Sequence, residues 1–376
     1  MKMKAALMYG PGDIRVEETE KPSCPKDGLI LKIMAVGLCG SDIRNLTTDS
    51  RKGDYPFIYG HEIVGVVDET GSEETKYQVG DRLFLFPGTY CMECEECVSG
   101  HSENCANEHV AKLAGTGGFA QYIAVGGEKI HYGGIYEIPE DVTFEAASLG
   151  EPLTSVFACL ENIQVGFPDT LVIIGAGPIG DFMAQLAKIR GAQKVIMIDI
   201  NDTRLEMAKQ FGVDVTINSA KEDPITAVLK LTNGKGADKV ISATPANSTQ
   251  QQSLHMVRKG GLAVFFGGVP KGSLTELDTN LIHYNISVYG AVRVAAQHSP
   301  CRTARHAALL RPQRSFQSGQ HFRLQRRQRF IVIFRERGRS LFRGELHRHG
   351  AELVQRKIRH VFSAGSGLCH FPPGKI

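Results

Sequence analysis

The sequence predicts an α/β protein in which a mostly β first domain is followed by a doubly wound parallel sheet. Two observations carry that prediction. Before residue 150, short alternating strands at 29–35, 63–67 and 82–86 are punctuated by Gly and Pro, the pattern of a mostly β domain. After it, the apolar stretch Leu171-Val-Ile-Ile174 runs into Gly175-Ala-Gly-Pro-Ile-Gly180, followed by a helical pattern through Met183, Leu186, Ala187 and Ile189. A chain of 376 residues with 42% hydrophobic content can bury a sizeable core, and its length favours two domains over one.

The first domain, residues 1–152, carries metal-ligating residues. Cys91, Cys94, Cys97 and Cys105 are separated by two, two and seven residues, so one loop can fold four thiolates around a tetrahedral zinc. Such a site is closed, hence structural. A disulfide cluster is the competing account. The chain opens with Met1-Lys-Met-Lys4 and no apolar signal segment, which argues for a reducing compartment and a cytoplasmic location. Cys24, Cys159, Cys301 and Cys369 are scattered without ligand spacing and read as small hydrophobes or free thiols. No apolar run approaches the roughly 18 residues that a membrane span needs.

The second domain, residues 153–296, opens on a βαβ unit. A second apolar strand, 194–198, ends at Asp199, so Gly175, Gly177 and Gly180 stand in the G-x-G-x-x-G register with an acid 19 residues beyond the last glycine. Gly175 permits the tight turn, Gly177 lets backbone N–H groups approach a pyrophosphate, and Gly180 allows the helix to pack closely on the sheet. Pro178 suits the start of that helix, where its missing donor costs little, and Ile179 belongs to the same cofactor-binding turn. Asp199 would accept hydrogen bonds from ribose hydroxyls and repel a 2′-phosphate. Ile200, Asn201 and Asp202 bring no cation to reverse that, so the cofactor is expected to be NAD, not NADP. Arg204 is a further cofactor-site candidate, although five residues past the strand it competes with the reading of a solvated helix residue. More α/β units follow, with strands expected at 214–217, 239–242, 262–266 and 286–289 and helices at 204–211 and 248–258. Metal and cofactor thus fall on neighbouring domains, and the active site is expected in the cleft between them.

The net charge of +3 conceals a division near residue 296. Before it stand 26 Lys plus Arg against 37 Asp plus Glu, and after it 17 against 3. Arg to Lys runs 8 to 18 in the first part and 15 to 2 in the second, which also holds seven of the thirteen histidines and no aspartate.

The motifs Gly37-Leu-Cys-Gly-Ser-Asp42, Gly60-His-Glu-Ile-Val-Gly65, the four-cysteine lobe, Gly117-Gly-Phe-Ala-Gln-Tyr122 and the glycine fingerprint together resemble the zinc-dependent medium-chain alcohol dehydrogenases. Gly150-Glu-Pro-Leu153 is similar to the sorbitol and polyol dehydrogenase branch. The resemblance covers roughly residues 1 to 293. It implies a GroES-like catalytic domain, a Rossmann domain, one catalytic and one structural zinc per subunit, and a homo-dimer or homo-tetramer. Carried over to this chain, Cys39 and His61 would ligate the catalytic zinc, and Glu62 and Glu151 would share its remaining positions with water or substrate. Which glutamate reaches the metal is left open. Alone, Cys39 reads as a buried thiol and His61 as a core histidine; together, within these motifs, they read as ligands. Ser41 would pass the alcohol proton toward solvent, against the plainer reading of a turn residue, and Asp42 would support a ligand. Zinc with an open position would lower the pKa of a bound alcohol, and hydride would pass to the nicotinamide. A carboxylate in place of a second cysteine makes a harder, oxygen-rich site suited to vicinal hydroxyls, which favours a small-molecule polyol or sugar as substrate. Arg44 is a candidate contact for such a substrate, against the plainer reading of a surface arginine; threonine or glucose dehydrogenase chemistry fits the same frame. A non-catalytic or damaged zinc- and NAD-binding protein is the alternative.

Residues 297–376 depart from this pattern. Relatives in the family continue with a helix and return to the catalytic domain through closing strands rich in Lys, Glu, Ile and Val. Here stands Arg323-Leu-Gln-Arg-Arg-Gln-Arg-Phe330, then an isolated apolar run and more Arg and His. The abrupt change points to a segment translated out of frame, which would leave apolar surface uncovered on both domains. A basic arm for nucleic acid or acidic lipid is the rival account, disfavoured because no interleaved lysine pattern or reader motif accompanies it.

Overall fold

The computed structural model describes residues 1–49, 52–74, 76–112, 117–291, 331–335 and 339–341. Expectations for Arg293, Cys301, the arginine run 323–330 and Cys369 lie outside the described residues. The chain divides into two compact units, one holding Met1–Glu151 and the returning strands of the tail, the other beginning at Pro152.

In the first unit, β1 (Lys2–Gly10) and β2 (Asp13–Glu20) form an antiparallel hairpin, and β4 (Phe57–Ile58) pairs with the other edge of β1. The larger sheet is built around β3 (Leu29–Gly37). It pairs along its length with β5 (Glu62–Thr70), which is followed by β6 (Arg82–Leu85) and β8 (Ile135–Glu137), all antiparallel. The other edge of β3 is shared. β7 (Tyr122–Val125) pairs with Leu29 to Lys32, and the tail strand β15 (Ile331–Arg335) pairs with Val36 and Gly37. β15 turns back as β16 (Arg339–Leu341). Part of the tail therefore does return to this sheet, and the apolar run 331–334 that looked isolated in sequence is a strand. The alternation predicted at 29–35, 63–67 and 82–86 arises because Leu29, Leu31, Ile33, Ile63, Val67, Leu83 and Leu85 share one buried cluster.

Among the described residues, the second unit holds a six-stranded sheet in the order β11-β10-β9-β12-β13-β14, with every pair parallel. Its strands are β9 (Thr170–Ile174), β10 (Lys194–Asp199), β11 (Val215–Asn218), β12 (Ala237–Ser242), β13 (Val257–Phe265) and β14 (Ser287–Gly290). The order of succession reverses between β9 and β12, which makes the carboxyl end of β9 the switch point where such sheets bind nucleotides. Both faces of the central strands are covered, which is why Leu171 to Ile174 and Val195 to Ile198 read as continuous apolar runs.

The expected strands appear within a few residues of their sequence positions. The helix expected at 248–258 is a correction: it stops at Met256, because Val257 is already extended (φ −82°, ψ 140°) and Arg258 belongs to β13. The helix expected at 204–211 is the helix Asp202–Ala208 followed by a tighter turn, Lys209–Phe211, that ends on Gly212 at φ +86°. A helix at Pro224–Leu231 has clear local signals, with Asp223 as N-cap accepting from the Thr226 N–H and Pro224 in the first turn.

Candidate metal centres and dinucleotide site

β3 ends at Gly37, and the chain turns through Cys39 into the helix Gly40–Thr47. Asp42, in its first turn and 1% exposed, works in two directions. Its Oδ2 accepts from the Cys39 N–H at 2.9 Å, and its Oδ1 lies 3.2 Å from His61 Nδ1. The second bond engages Nδ1 and leaves Nε2 as the ring nitrogen available to a metal. β5 begins at Glu62, and its pairing with Gly37 draws His61 and Glu62 beside Cys39. Gly37 cannot carry a side chain, since a Cβ would fall 1.7 Å from Glu62 Oε2, and Glu62 is fully buried. The ligand atoms of Cys39, His61 and Glu62 lie within 4.8 Å of one another. A sulfur, a nitrogen and a carboxylate oxygen converging this closely suit zinc with a position left open.

Burial pulls the His61 pKa down, but hydrogen bonds to Asp42 and Cys39, with the charges of Asp42 and Glu151, outweigh it and raise it to about 12. Glu151, in the helix Gly150–Asn162, is outside the compact donor cluster, yet its charge acts on His61. Ser41 is half-buried in the first turn of the helix Gly40–Thr47, and Arg44 is exposed on it.

The four-cysteine lobe is the second donor cluster. All four sulfurs lie within 4.8 Å of one another, and Cys91 Sγ is 3.9 Å from Cys97 Sγ. Sulfurs about 2.3 Å from a central tetrahedral zinc stand about 3.8 Å apart, whereas a disulfide would require about 2.05 Å. The cysteines are free thiols, so the geometry fits zinc and excludes the disulfide account. Backbone N–H groups of Ala106 and Cys97 lower the Cys94 pKa to about 6, while burial pushes Cys97 up to about 12. Four crowded thiols ionise together only with a cation among them.

In the second unit, β9 delivers the chain to Gly175, whose φ of +117° and whose approach to Thr244 Cγ2 (2.8 Å from a would-be Cβ) both require glycine. Gly177 is the extended N-cap of the helix Pro178–Ile189, with Pro178 in the first turn and Ile179 half-exposed beside it. A Cβ on Gly177 would meet nothing within 4 Å, so its backbone borders open space at a helix N-terminus. A Cβ on Gly180 would fall 2.0 Å from the Gly175 carbonyl oxygen. Asp199 is fixed by the Ala176 N–H to Oδ2 at 2.8 Å and the Asn201 N–H to Oδ1 at 2.9 Å. Arg204 Nη1 lies 3.8 Å from Asp199 Oδ2, so Arg204 is at this site and not simply solvated. The turn fits a pyrophosphate and Asp199 a ribose diol.

Sequence reasoning passed over Asp181 and Thr244. An acid placed directly after Gly180, on a helix whose neighbours Phe182, Met183 and Ala184 are buried and apolar, was the available signal for the first. Thr244 carried no signal, because only the fold brings it against Gly175.

A family model described as the alcohol dehydrogenase GroES-like domain matches residues 25–134, and one described as zinc-binding dehydrogenase matches 178–307. Sorbitol dehydrogenase of Bacillus subtilis strain 168 is 33% identical over 300 residues, covering 78% of this chain and 83% of its own. L-threonine 3-dehydrogenase of the same organism is 35% identical over 266 residues, covering 69% and 74%. Among solved structures, a zinc-binding dehydrogenase from Sinorhizobium meliloti 1021 bound to NADP superimposes with a TM-score of 0.73 at 27% identity, covering 82% and 89%. The chain belongs to the zinc-dependent medium-chain alcohol dehydrogenases, two-domain oxidoreductases that use zinc and a nicotinamide dinucleotide.

Proposed function

We propose that the chain oxidises a secondary alcohol of a polyol or sugar, with NAD as hydride acceptor. The observation that carries this reading is the convergence of Cys39, His61 and Glu62, braced by Asp42, in place of a site closed by four sulfurs. Zinc at this centre would supply Lewis acidity toward an alcohol, and the dinucleotide would accept the hydride. The protein's own part is to hold those groups. Cys39 and His61 are ligands, and Glu62 and Glu151 are the carboxylates that complete the centre or yield to substrate. Ser41 hands the hydroxyl proton toward solvent. Gly175, Gly177, Pro178, Ile179 and Gly180 receive the pyrophosphate, and Asp199 the ribose diol. The oxygen-bearing donor set favours vicinal hydroxyls, and the polyol named for the Bacillus subtilis relative supports the same class.

The test is NADH formation from a panel of polyols and L-threonine by zinc-loaded protein, repeated on Cys39→Ala to exclude a contaminating enzyme. Turnover of a polyol that disappears in the variant supports the reading. Turnover confined to L-threonine overturns the substrate class.

Domains 1–152 and 153–296 are the working parts of the enzyme. The free cysteine lobe supports a reducing, cytoplasmic setting, and among the described residues no helix is long and apolar enough to cross a membrane. Assembly as a dimer or tetramer is supported by the outer strand β14, where Val288 is exposed, as is Tyr284 just before it, and light scattering tests it. The Arg- and His-rich segment 297–376 is read as out of frame, on its composition.

A further inference from the structure

Thr244 is a polar side chain at the glycine turn that the proposed chemistry leaves unused. It lies just past the carboxyl end of β12, half-buried, with Cγ2 2.8 Å from the place a Cβ on Gly175 would take. Its backbone is approached as closely by Gly267, where a Cβ would fall 2.2 Å from the Thr244 carbonyl oxygen. The hydroxyl belongs to a cluster centred on Thr249, in the first turn of the helix Asn247–Met256. Thr249 Oγ1 lies 2.8 Å from Ser242 Oγ, 2.7 Å from Thr244 Oγ1 and 2.7 Å from the Ala246 carbonyl oxygen. Three oxygen contacts this short need three hydrogens, and the three hydroxyls carry one each. The Ala246 carbonyl can only accept, so Thr249 donates to it, and Ser242 and Thr244 both donate to Thr249. The hydrogen of Thr244 is therefore spent, and its oxygen has only lone pairs to offer a ligand.

Such an oxygen repels a phosphate and accepts from a sugar hydroxyl or an amide N–H. Position decides between those two donors. β9 stands between β10 and β12, and its glycine turn fits a pyrophosphate. Asp199, at the end of β10, is tied to that turn through the Ala176 N–H and fits a ribose diol. Thr244, past the end of β12, meets the same turn at Gly175, on the opposite side of β9. A dinucleotide runs in the matching order of ribose, pyrophosphate and ribose, with the nicotinamide ring beyond the second sugar. We infer that Thr244 binds the nicotinamide-side ribose of the cofactor, accepting a hydrogen bond from one of its hydroxyls. The inference rests on the reading of NAD as cofactor. It gives the second ribose an acceptor, as Asp199 gives the first, and so helps to fix the sugar that carries the nicotinamide ring.

The experiment is calorimetric binding of NAD, ADP-ribose and ADP to the zinc-loaded full chain without alcohol substrate. ADP-ribose keeps the second sugar but lacks nicotinamide, and ADP lacks both. Thr244→Val keeps the shape and the methyl group against Gly175 while removing the hydroxyl. It should weaken NAD and ADP-ribose about fivefold, the order expected from one neutral hydrogen bond, and leave ADP within about twofold. Thr244→Ser and Thr244→Ala lack the methyl alike and differ only in the hydroxyl, so the same fivefold difference should separate them even if valine disturbs the fold. Loss of ADP affinity equal to that of NAD in Thr244→Val, with no difference between the serine and alanine variants, overturns the inference and leaves Thr244 a prop for the turn. Loss of NAD but not of ADP-ribose also overturns it, because the hydroxyl then serves the nicotinamide amide. A wild type that binds NAD, with no affinity changed in any variant, overturns the role of Thr244 alone. A wild type that binds no NAD overturns the cofactor reading itself, and this inference with it.

Discussion

At the scale of single residues, Asp42 and Cys97 separate the two metal centres. Asp42 fixes the Cys39 backbone and the His61 ring with one carboxylate, so it orients two of the proposed ligands without being one. Asp42→Asn keeps the size but removes the charge that favours His61 in this pose. Zinc affinity at the Cys39 centre should fall about 10- to 100-fold, the usual cost of losing such support. Dialysis against a chelator should then leave one zinc per chain where the wild type keeps two, and retention of both would show that Asp42 is dispensable. Cys97 packs with Cys91 against Val110, so the small core of the lobe is built partly from the thiols proposed to hold the metal. Cys97→Ser should release the other zinc and destabilise the first unit by at least about 3 kcal/mol. Faster proteolysis within 91–112, with NAD affinity unchanged, is the expected signature.

At the scale of elements, the turn from β9 into the helix Pro178–Ile189 is a backbone contact that side chains cannot enter. Gly180→Ala would place a methyl 2.0 Å from the Gly175 carbonyl oxygen and push the helix off the sheet. A cost of about 1–3 kcal/mol is expected, with dinucleotide affinity falling more steeply than stability, because the N-terminal amides move with the helix. Calorimetry with NAD and thermal unfolding separate the two effects. The helix Gly127–His131 contributes a different kind of constraint. Lys129 on it is 5% exposed and donates through Nζ to the carbonyl oxygens of Phe86 (2.8 Å) and Pro87 (3.5 Å), which tethers the segment leading into the cysteine lobe. Burial lowers its pKa to about 8. Below that pH the ammonium is charged in both folded and unfolded chains, at a cost to the fold of about 3 kcal/mol. Between about pH 8 and the ordinary lysine value of about 10.4 the unfolded chain binds the extra proton, so this group makes the fold more stable as pH rises. Urea unfolding of wild type against Lys129→Met should show the difference shifting toward wild type across that interval. A difference that does not change with pH would mean that Lys129 titrates normally.

At the scale of the molecule, what was legible in the sequence follows from how local each signal is. The glycine register, the strand that precedes it and Asp199 lie within thirty residues and obey one backbone geometry, so the nucleotide unit could be read directly. The cysteine lobe was legible for the same reason. The gathering of Cys39 with His61 depends on the pairing of Gly37 with Glu62 across two strands, which spacing alone does not encode; there the family resemblance supplied what local pattern could not. Thr244 matters through Gly175, distant in sequence. The tail is the opposite case, because composition speaks and periodicity does not. Its strand β15 pairs with Val36 and Gly37, next to the turn that carries Cys39, so backbone pairing alone gives this segment a place on the sheet. Strand pairing makes few demands on side chains at a sheet edge, whereas closing a core demands a matched apolar face. A shifted frame would supply the first by chance and not the second. Sequencing the coding DNA should therefore reveal an insertion or deletion near the codon for residue 297, beyond which the neighbouring frame returns to a Lys-rich, acid-balanced composition like that of residues 1–296. Protein made from the corrected frame should be more soluble and melt higher than the present chain. An uninterrupted frame in independent isolates, encoding the same Arg- and His-rich segment, would refute the shift and make residues 297–376 a genuine part of the enzyme.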